Sequence, residues 1–356
     1  MIDTGSGIRA GGGVVRSPYQ ASEGGRSRMG PNVVETRSPS ATLEFLKEYS
    51  DNPSAFLALN TGNRRFGCRE VPGVVVYRES GRHLVVFGAP FGPDPAALLR
   101  RFTDHAAARG ARVVAIQAQA GDVDTYTGAG YTVNQVGASY AVDLSRFTLR
   151  GSRFVRLRNK VSRAHRAGVR VTEVSFAEHA GAIADLDRVW LRDKGKPLEF
   201  LVGQLGGPAQ DHRRLFIATI GGDLAGYISY SPAYGARPGW LHDLSRRRPD
   251  APPGVMEAVN TAALATFAAE GAPWLHFGFT PFTGLDPALE DPSASRWFRW
   301  LAGQLATRGA AVYPAATQLA YKRKWAPHVV APEYVAFSGR ASLSGFLQVF
   351  RAANAL

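Results

Sequence analysis

The chain has 356 residues, enough for two domains of ordinary size with cores of their own. Apolar residues at 45% and charged residues at 20% exclude a disordered chain, while 42 Lys plus Arg against 29 Asp plus Glu leave a charge of +13. That charge favours a polyanionic partner, either nucleic acid or an acidic membrane surface. Cys68 is the sole cysteine, which excludes an intramolecular disulfide and favours a reducing compartment. No apolar run approaches the about 18 residues of a membrane span, and the N-terminus lacks a signal core. The expectation is a cytoplasmic protein without a transmembrane segment, at most in peripheral contact with an acidic membrane.

Residues 1–38 are rich in Gly, Ser and Arg without hydrophobic period and read as a flexible arm. From there the pattern is α/β. Residues 74–77 and 83–87 read as a hairpin, followed by a Gly/Pro loop, an amphipathic helix at 96–109 and a strand at 112–116. A basic helical stretch at 153–167 comes next. The order then recurs: a hairpin at 215–219 and 224–230, a strand ending at Leu241, an Arg/Pro/Gly loop, a helix at 255–268 and a strand at 274–277. Val255, Val259, Ala263 and Phe267 form one helical stripe, expected to be buried. The repeat predicts two α/β units rather than one large sheet. Their bounds are 39–150 and 171–356, joined by the basic helix at 151–170.

Arg153, Arg156, Arg158, Lys160, Arg163, Arg166 and Arg170 fall within eighteen residues that contain no acid. Leu157, Val161 and Ala164 share one helical face, which leaves the cations for solvent. An unbroken basic face calls for counter-charge, and phosphate contact is its natural use. The alternative is a merely solvated face.

The stretch 242–257, HDLSRRRPDAPPGVME, is the most informative in the chain. A strand delivers Asp243 to a corner where Arg246, Arg247 and Arg248 precede a helix. Pro252 and Pro253 suit the first helical turn, and its free amides would favour an anion. A carboxylate three residues from a guanidinium at such a corner marks a site, although a plain ion pair would have the same spacing.

Together with Trp190, Lys194, Glu199, Phe200 and Gly203, and with Leu319, Tyr321, Lys322, Lys324, Trp325 and Pro327, this block resembles the C-terminal domain family of bacterial phosphatidylglycerol lysyltransferases. The resemblance covers roughly 40–340, with specific motifs in the second half. It implies two tandem acetyltransferase-like (GNAT) α/β domains with mixed central sheets. It also implies an enzyme that takes an amino acid from aminoacyl-tRNA, a co-substrate, with no cofactor. In that setting Asp243 would orient or deprotonate the attacking group, and Lys322 would support the oxyanion. Arg246 would bind an anion or hold Asp243, and Glu199 would hold an ammonium. Lys194, Glu257 and Lys324 would complete the substrate site, with Lys324 behind Lys322. The arginines at 153–166, Lys160, Arg247 and Arg248 would bind tRNA. The alternative for Lys322 and Lys324 is a guard on a basic edge strand.

Eight histidines without ligand spacing predict no metal site. The loop at 248–254 has one glycine and three prolines, unlike the amide-rich loop that holds coenzyme A. Without a membrane domain, a small-molecule acceptor in a natural-product (antibiotic) pathway is the favoured expectation. The alternatives are phosphatidylglycerol modification, an acyl-CoA N-acyltransferase and a non-catalytic RNA- or membrane-binding module.

Overall fold

The computed structural model describes residues 38–308 and 315–356, with the backbone alone at 33–35 and at Asp193 and Lys194. The expected arm at 1–38 therefore falls almost wholly outside the described residues. The first half runs β1 (Val33–Glu35), α1 (Pro39–Tyr49), β2 (Arg64–Cys68), β3 (Val75–Ser80), β4 (His83–Phe87), α2 (Pro95–Ala108), β5 (Arg112–Ala118), α3 (Val123–Thr127) and β6 (Tyr131–Asp143). The second opens with α4 (Val155–Arg166), β7 (Arg170–Val174), α5 (Phe176–Lys194), β8 (Arg214–Ile220), β9 (Asp223–Ala233) and β10 (Gly239–Arg247). It closes with α6 (Val255–Ala269), β11 (Trp274–Pro281), α7 (Arg296–Arg308), α8 (Ala315–Arg323), β12 (Val329–Ser338) and α9 (Leu343–Ala352).

Both expected repeats are present as parallel β-α-β units, β4-α2-β5 and β10-α6-β11. They do not form separate sheets. One sheet of twelve strands runs β1-β2-β3-β4-β5-β12-β6-β11-β10-β9-β8-β7 among the described residues. The last strand of each half crosses to the other: β6 pairs with β11, β12 pairs with β5, and the two pair with each other. Strand β6 is thirteen residues long and buried almost throughout, with no polar alternation to announce it in the sequence.

Local sequence explains the helices that flank the sheet. Asp94 caps α2 by accepting from the Ala97 amide at 2.8 Å, with Pro95 in the first turn. The stripe of α6 packs as its spacing predicts, with Val255, Val259, Ala263 and Phe267 at 0–1% exposure. Phe267 lies between Phe216, Tyr230 and Trp240, and truncating it to Ala would cost about 3–5 kcal/mol.

The site is positioned by a failure of pairing. Strands β10 and β11 pair in parallel over Gly239–Leu241 and Trp274–His276. Beyond that point each carries an extra residue: the register of β10 against β9 slips between His242 and Leu244, and that of β11 against β6 slips between His276 and Gly278. Bulges bend strands and increase their twist, so the two diverge and open a cleft. Gly278, at φ 65, occupies the left-handed conformation that the bulge requires.

Candidate active site in the splayed cleft

The cleft has a volume of about 860 Å³ and is walled by the ends of β10 and β11, the loop into α6, and α8. It brings together Asp243, Arg246, Arg247, Glu257, Lys160, Lys322 and Lys324, all named from the sequence. Asp243 is the extra residue of the β10 bulge. Its carboxylate has no exposed surface and meets the Arg213 guanidinium, Nε to Oδ2, at 3.3 Å. Burial pushes the Asp243 carboxyl above its ordinary range, opposed by Arg213 and by the hydroxyls of Ser231 and Ser229.

Arg213 is fixed in turn. It donates to Asn60 Oδ1 at 3.2 Å and lies 4.8 Å over the Phe56 ring, while Asn60 donates to the Val202 carbonyl at 2.8 Å. The motif residue Gly203 now has a physical reason. Its amide donates to the Asp243 carbonyl at 3.0 Å, and a Cβ there would lie 2.5 Å from the carboxyl carbon. Asp243 can approach this backbone because no side chain intervenes.

The expectation that Arg246 holds Asp243 is corrected. Arg246 lies on strand β10, not in the loop, and pairs with Asp187 at 2.6 Å. Its guanidinium lies 5.0 Å over the Trp190 ring, and Tyr227 donates to the second Asp187 oxygen. Asp243 and Arg246 thus have separate partners, Arg213 and Asp187, and do not pair with each other.

Lys322 stands in the last turn of α8, so the edge-strand alternative is wrong. Its buried ammonium donates to the Gly278 carbonyl at 2.7 Å and the Phe279 carbonyl at 2.9 Å, at the bulge of β11. Burial lowers its pKa to about 7, with Glu333 on β12 working the other way. Glu333 is itself buried and raised to about 7, first by desolvation. Two of the three N–H groups of Lys322 are held by carbonyls, which leaves one for a reacting oxygen. Adjacent His242 is held neutral, its pKa lowered to about 3 by burial and then by Lys322.

Glu257, in the first turn of α6, accepts from Lys324 at 2.9 Å and Lys160 at 3.1 Å. Burial works to raise its carboxyl, but Lys324 and then Lys160 outweigh burial and hold it below the usual range. The expected open helix end at this point is also corrected. Pro252 and Pro253 precede the helix, whose N-cap is Gly254 at φ 98. The space of a Gly254 Cβ is taken by the Lys160 carbonyl oxygen, 2.1 Å away, so α4 covers the end of α6.

Other predicted residues separate from the cleft. Glu199 pairs with Arg78 at 2.6 Å and lines a smaller neighbouring cavity of about 90 Å³, so it does not face Asp243. That cavity is walled by apolar side chains, among them Val136, Phe282, Phe346 and Phe350, and shares Leu198, Leu201, Val202 and Phe279 with the cleft. The Lys194 side chain lies outside the described residues. On α4, Leu157 and Ala164 are buried and Val161 half-buried, while Arg156, Arg163 and Arg166 are exposed, with Arg153 just ahead of them. Arg158 is an exception: its guanidinium donates to the Leu149 and Gly151 carbonyls. Arg247 and Arg248 are exposed, the latter paired with Asp250 at 3.3 Å.

Sequence reasoning missed Arg213, Asn60, Asp187 and Glu333. Arg213 lies thirty positions before Asp243 and Asn60 in the other half of the chain, so no local spacing could reveal them.

A parallel β-α-β unit is present twice in one mixed sheet, and the second splays open over a basic cleft, the arrangement of an acetyltransferase-like fold. The chain belongs to the family described as phosphatidylglycerol lysyltransferase, C-terminal, whose sequence model matches residues 43–337. It is 25% identical over 324 residues to the phosphatidylglycerol lysyltransferase of Bacillus subtilis (strain 168). That match covers 88% of this chain and 36% of the relative, so the chain spans little more than a third of that protein's length. Among solved structures, L-PGS from Bacillus licheniformis is similar with a TM-score of 0.74 and 22% identity, over 88% of this chain and 95% of that one. The C-terminal domain (DUF2156) of an Agrobacterium fabrum protein follows with a TM-score of 0.71 and 18% identity, over 89% and 98%.

Proposed function

We propose that the chain moves an aminoacyl group from aminoacyl-tRNA to a hydroxyl of a phosphatidylglycerol-class lipid. The single observation that carries this reading is the family match over 43–337 together with a cleft that gathers the motif residues of that family. Sequence reading alone favoured a small soluble acceptor, and the relatives favour a lipid instead. The apolar cavity that shares four walls with the cleft supports the lipid, since it gives hydrocarbon a dry neighbour to the polar site.

The donor ester is already activated, so the protein must position it, exclude water and support charge. The acceptor oxygen attacks the ester carbonyl, a new ester bond forms, and the bond to the tRNA ribose breaks. The proton of the acceptor hydroxyl ends on the departing ribose oxygen. Lys322, with one N–H free of backbone carbonyls, supports the oxyanion of the intermediate. Asp243, paired to Arg213, acts as a positioning residue that holds the β10 bulge. Exposed Arg153, Arg156, Arg163, Arg166, Arg247 and Arg248 supply phosphate contacts.

Coenzyme A fits poorly. The amides of Arg248, Ala251 and Val255 are bonded to neighbouring carbonyls, and Pro249, Pro252 and Pro253 have none. The deciding experiment is incubation with total tRNA charged with labelled amino acids, in the presence of phosphatidylglycerol vesicles and soluble amines. Label in the lipid phase supports the proposal; label confined to soluble amines contradicts it.

A further inference from the structure

Helix α7 is anchored on one side and, among the described residues, exposed on the other. Phe298 is fully buried against Phe346 of α9 at 4.9 Å and Phe337 of β12 at 5.2 Å, with Ala302 buried below it. This packing fixes the helix and turns Trp297 and Trp300 outward, at 42% and 65% exposure. Tryptophans three apart share a helix face, and here they alternate with exposed Arg296 and Arg299. On α9, Leu343 and Leu347 are exposed beside the Phe346 that touches α7. The same helix lends Phe346, Val349 and Phe350 to the apolar cavity next to the cleft.

Charge identifies what this face meets. From Ser293 to Leu356 the sequence holds one acid, Glu333, and it is buried on β12. Arg296, Arg299, Arg308, Arg340 and Arg351 are all exposed in the same region. Tryptophan combines an apolar body with a polar N–H and settles at a membrane–water boundary, while arginine pairs with lipid phosphates. No described helix is long and apolar enough to cross a membrane. We infer that the exposed face of α7, Trp297 and Trp300 flanked by Arg296 and Arg299, docks the protein on an anionic bilayer surface. Helix α9, which packs on α7 through Phe346, also walls the apolar cavity. This inference rests on the lipid acceptor for its purpose, but not for its test.

The test uses the full chain and sedimentation with vesicles of phosphatidylcholine, with or without phosphatidylglycerol. The wild type binds the anionic vesicles, more weakly at high salt, and brominated lipid quenches part of its tryptophan emission. W297A/W300A loses about tenfold or more in vesicle affinity, because affinity scales with inserted apolar area. R296A and R299A each lose about fivefold at low salt, on the order of 1 kcal/mol per cation. A correctly folded W297A/W300A variant keeps wild-type transfer to a monomeric short-chain phosphatidylglycerol, which needs no docking. Unchanged vesicle affinity in W297A/W300A overturns the inference. So does equal binding to neutral vesicles, or a dimer of the wild type that the double variant abolishes. Vesicle docking by these residues without transfer to any lipid leaves the docking face intact and removes the proposed acceptor.

Discussion

A Cβ on Gly203 would lie 2.5 Å from the carboxyl carbon of Asp243, so the buried carboxylate depends on the absence of a side chain in the loop between α5 and β8. Gly203→Ala must therefore displace either the carboxylate or the loop that carries it. Overpacking of this kind costs about 1–3 kcal/mol. Urea unfolding should report that loss, and transfer should fall further than stability does, because the bulge of β10 moves with Asp243.

Arg213 is the counter-charge of Asp243 in a fully buried pair. Arg213→Met leaves the carboxylate unpaired and should cost about 3–5 kcal/mol. Replacing both partners with apolar residues, Arg213→Met with Asp243→Leu, removes the unpaired charge and should recover most of that stability. Activity should stay lost in the double variant. A double variant as unstable as Arg213→Met alone would mean that Arg213 acts through Asn60 and Phe56 instead.

Lys322 has its pKa lowered to about 7 by burial, with Glu333 opposing the shift. If the ammonium is the working form, kcat/KM should fall as pH rises through about 7, where the charge is lost. Glu333→Gln removes an opposite charge, lowers the lysine further, and should move the fall to lower pH. A pH profile that keeps its position in Glu333→Gln separates Glu333 from the chemistry.

The basic helix predicts salt-sensitive RNA binding. Charge reversal at Arg156, Arg163 and Arg166 should weaken tRNA binding steeply, with the slope of log affinity against log salt shrinking by about one unit per lost contact. Arg158 makes a contrast, because its guanidinium holds the Leu149 and Gly151 carbonyls. Its replacement should lower stability more than the salt slope.

What the sequence revealed follows the range of the interactions concerned. The helix of α6, the basic face of α4 and both hairpins rest on period and local turns, and they were legible. So was the gathering of Asp243, Glu257, Lys322 and Lys324, through motifs that carry a family resemblance. Arg246 was misassigned because its partner, Asp187, stands on α5 outside the motif, which spacing within the motif cannot reveal. The single sheet was hidden for a different reason: β6 and β12 exchange between halves, a pairing between residues almost two hundred positions apart. Glu199 was drawn into the site by its motif, yet its partner Arg78 stands in the other half of the chain.

The central claim is that the splayed cleft performs the transfer and that Lys322 supports it. Single-turnover transfer of label from total tRNA charged with labelled amino acids to phosphatidylglycerol vesicles, compared between the wild type and Lys322→Ala, tests it most directly. The expected result is labelled lipid from the wild type and a loss of about 10²–10³-fold in the variant, with tRNA affinity and the unfolding transition nearly kept. A variant within about tenfold of wild type would make Lys322 a brace for the Gly278 bulge, and absence of labelled lipid from the wild type would contradict the acceptor itself.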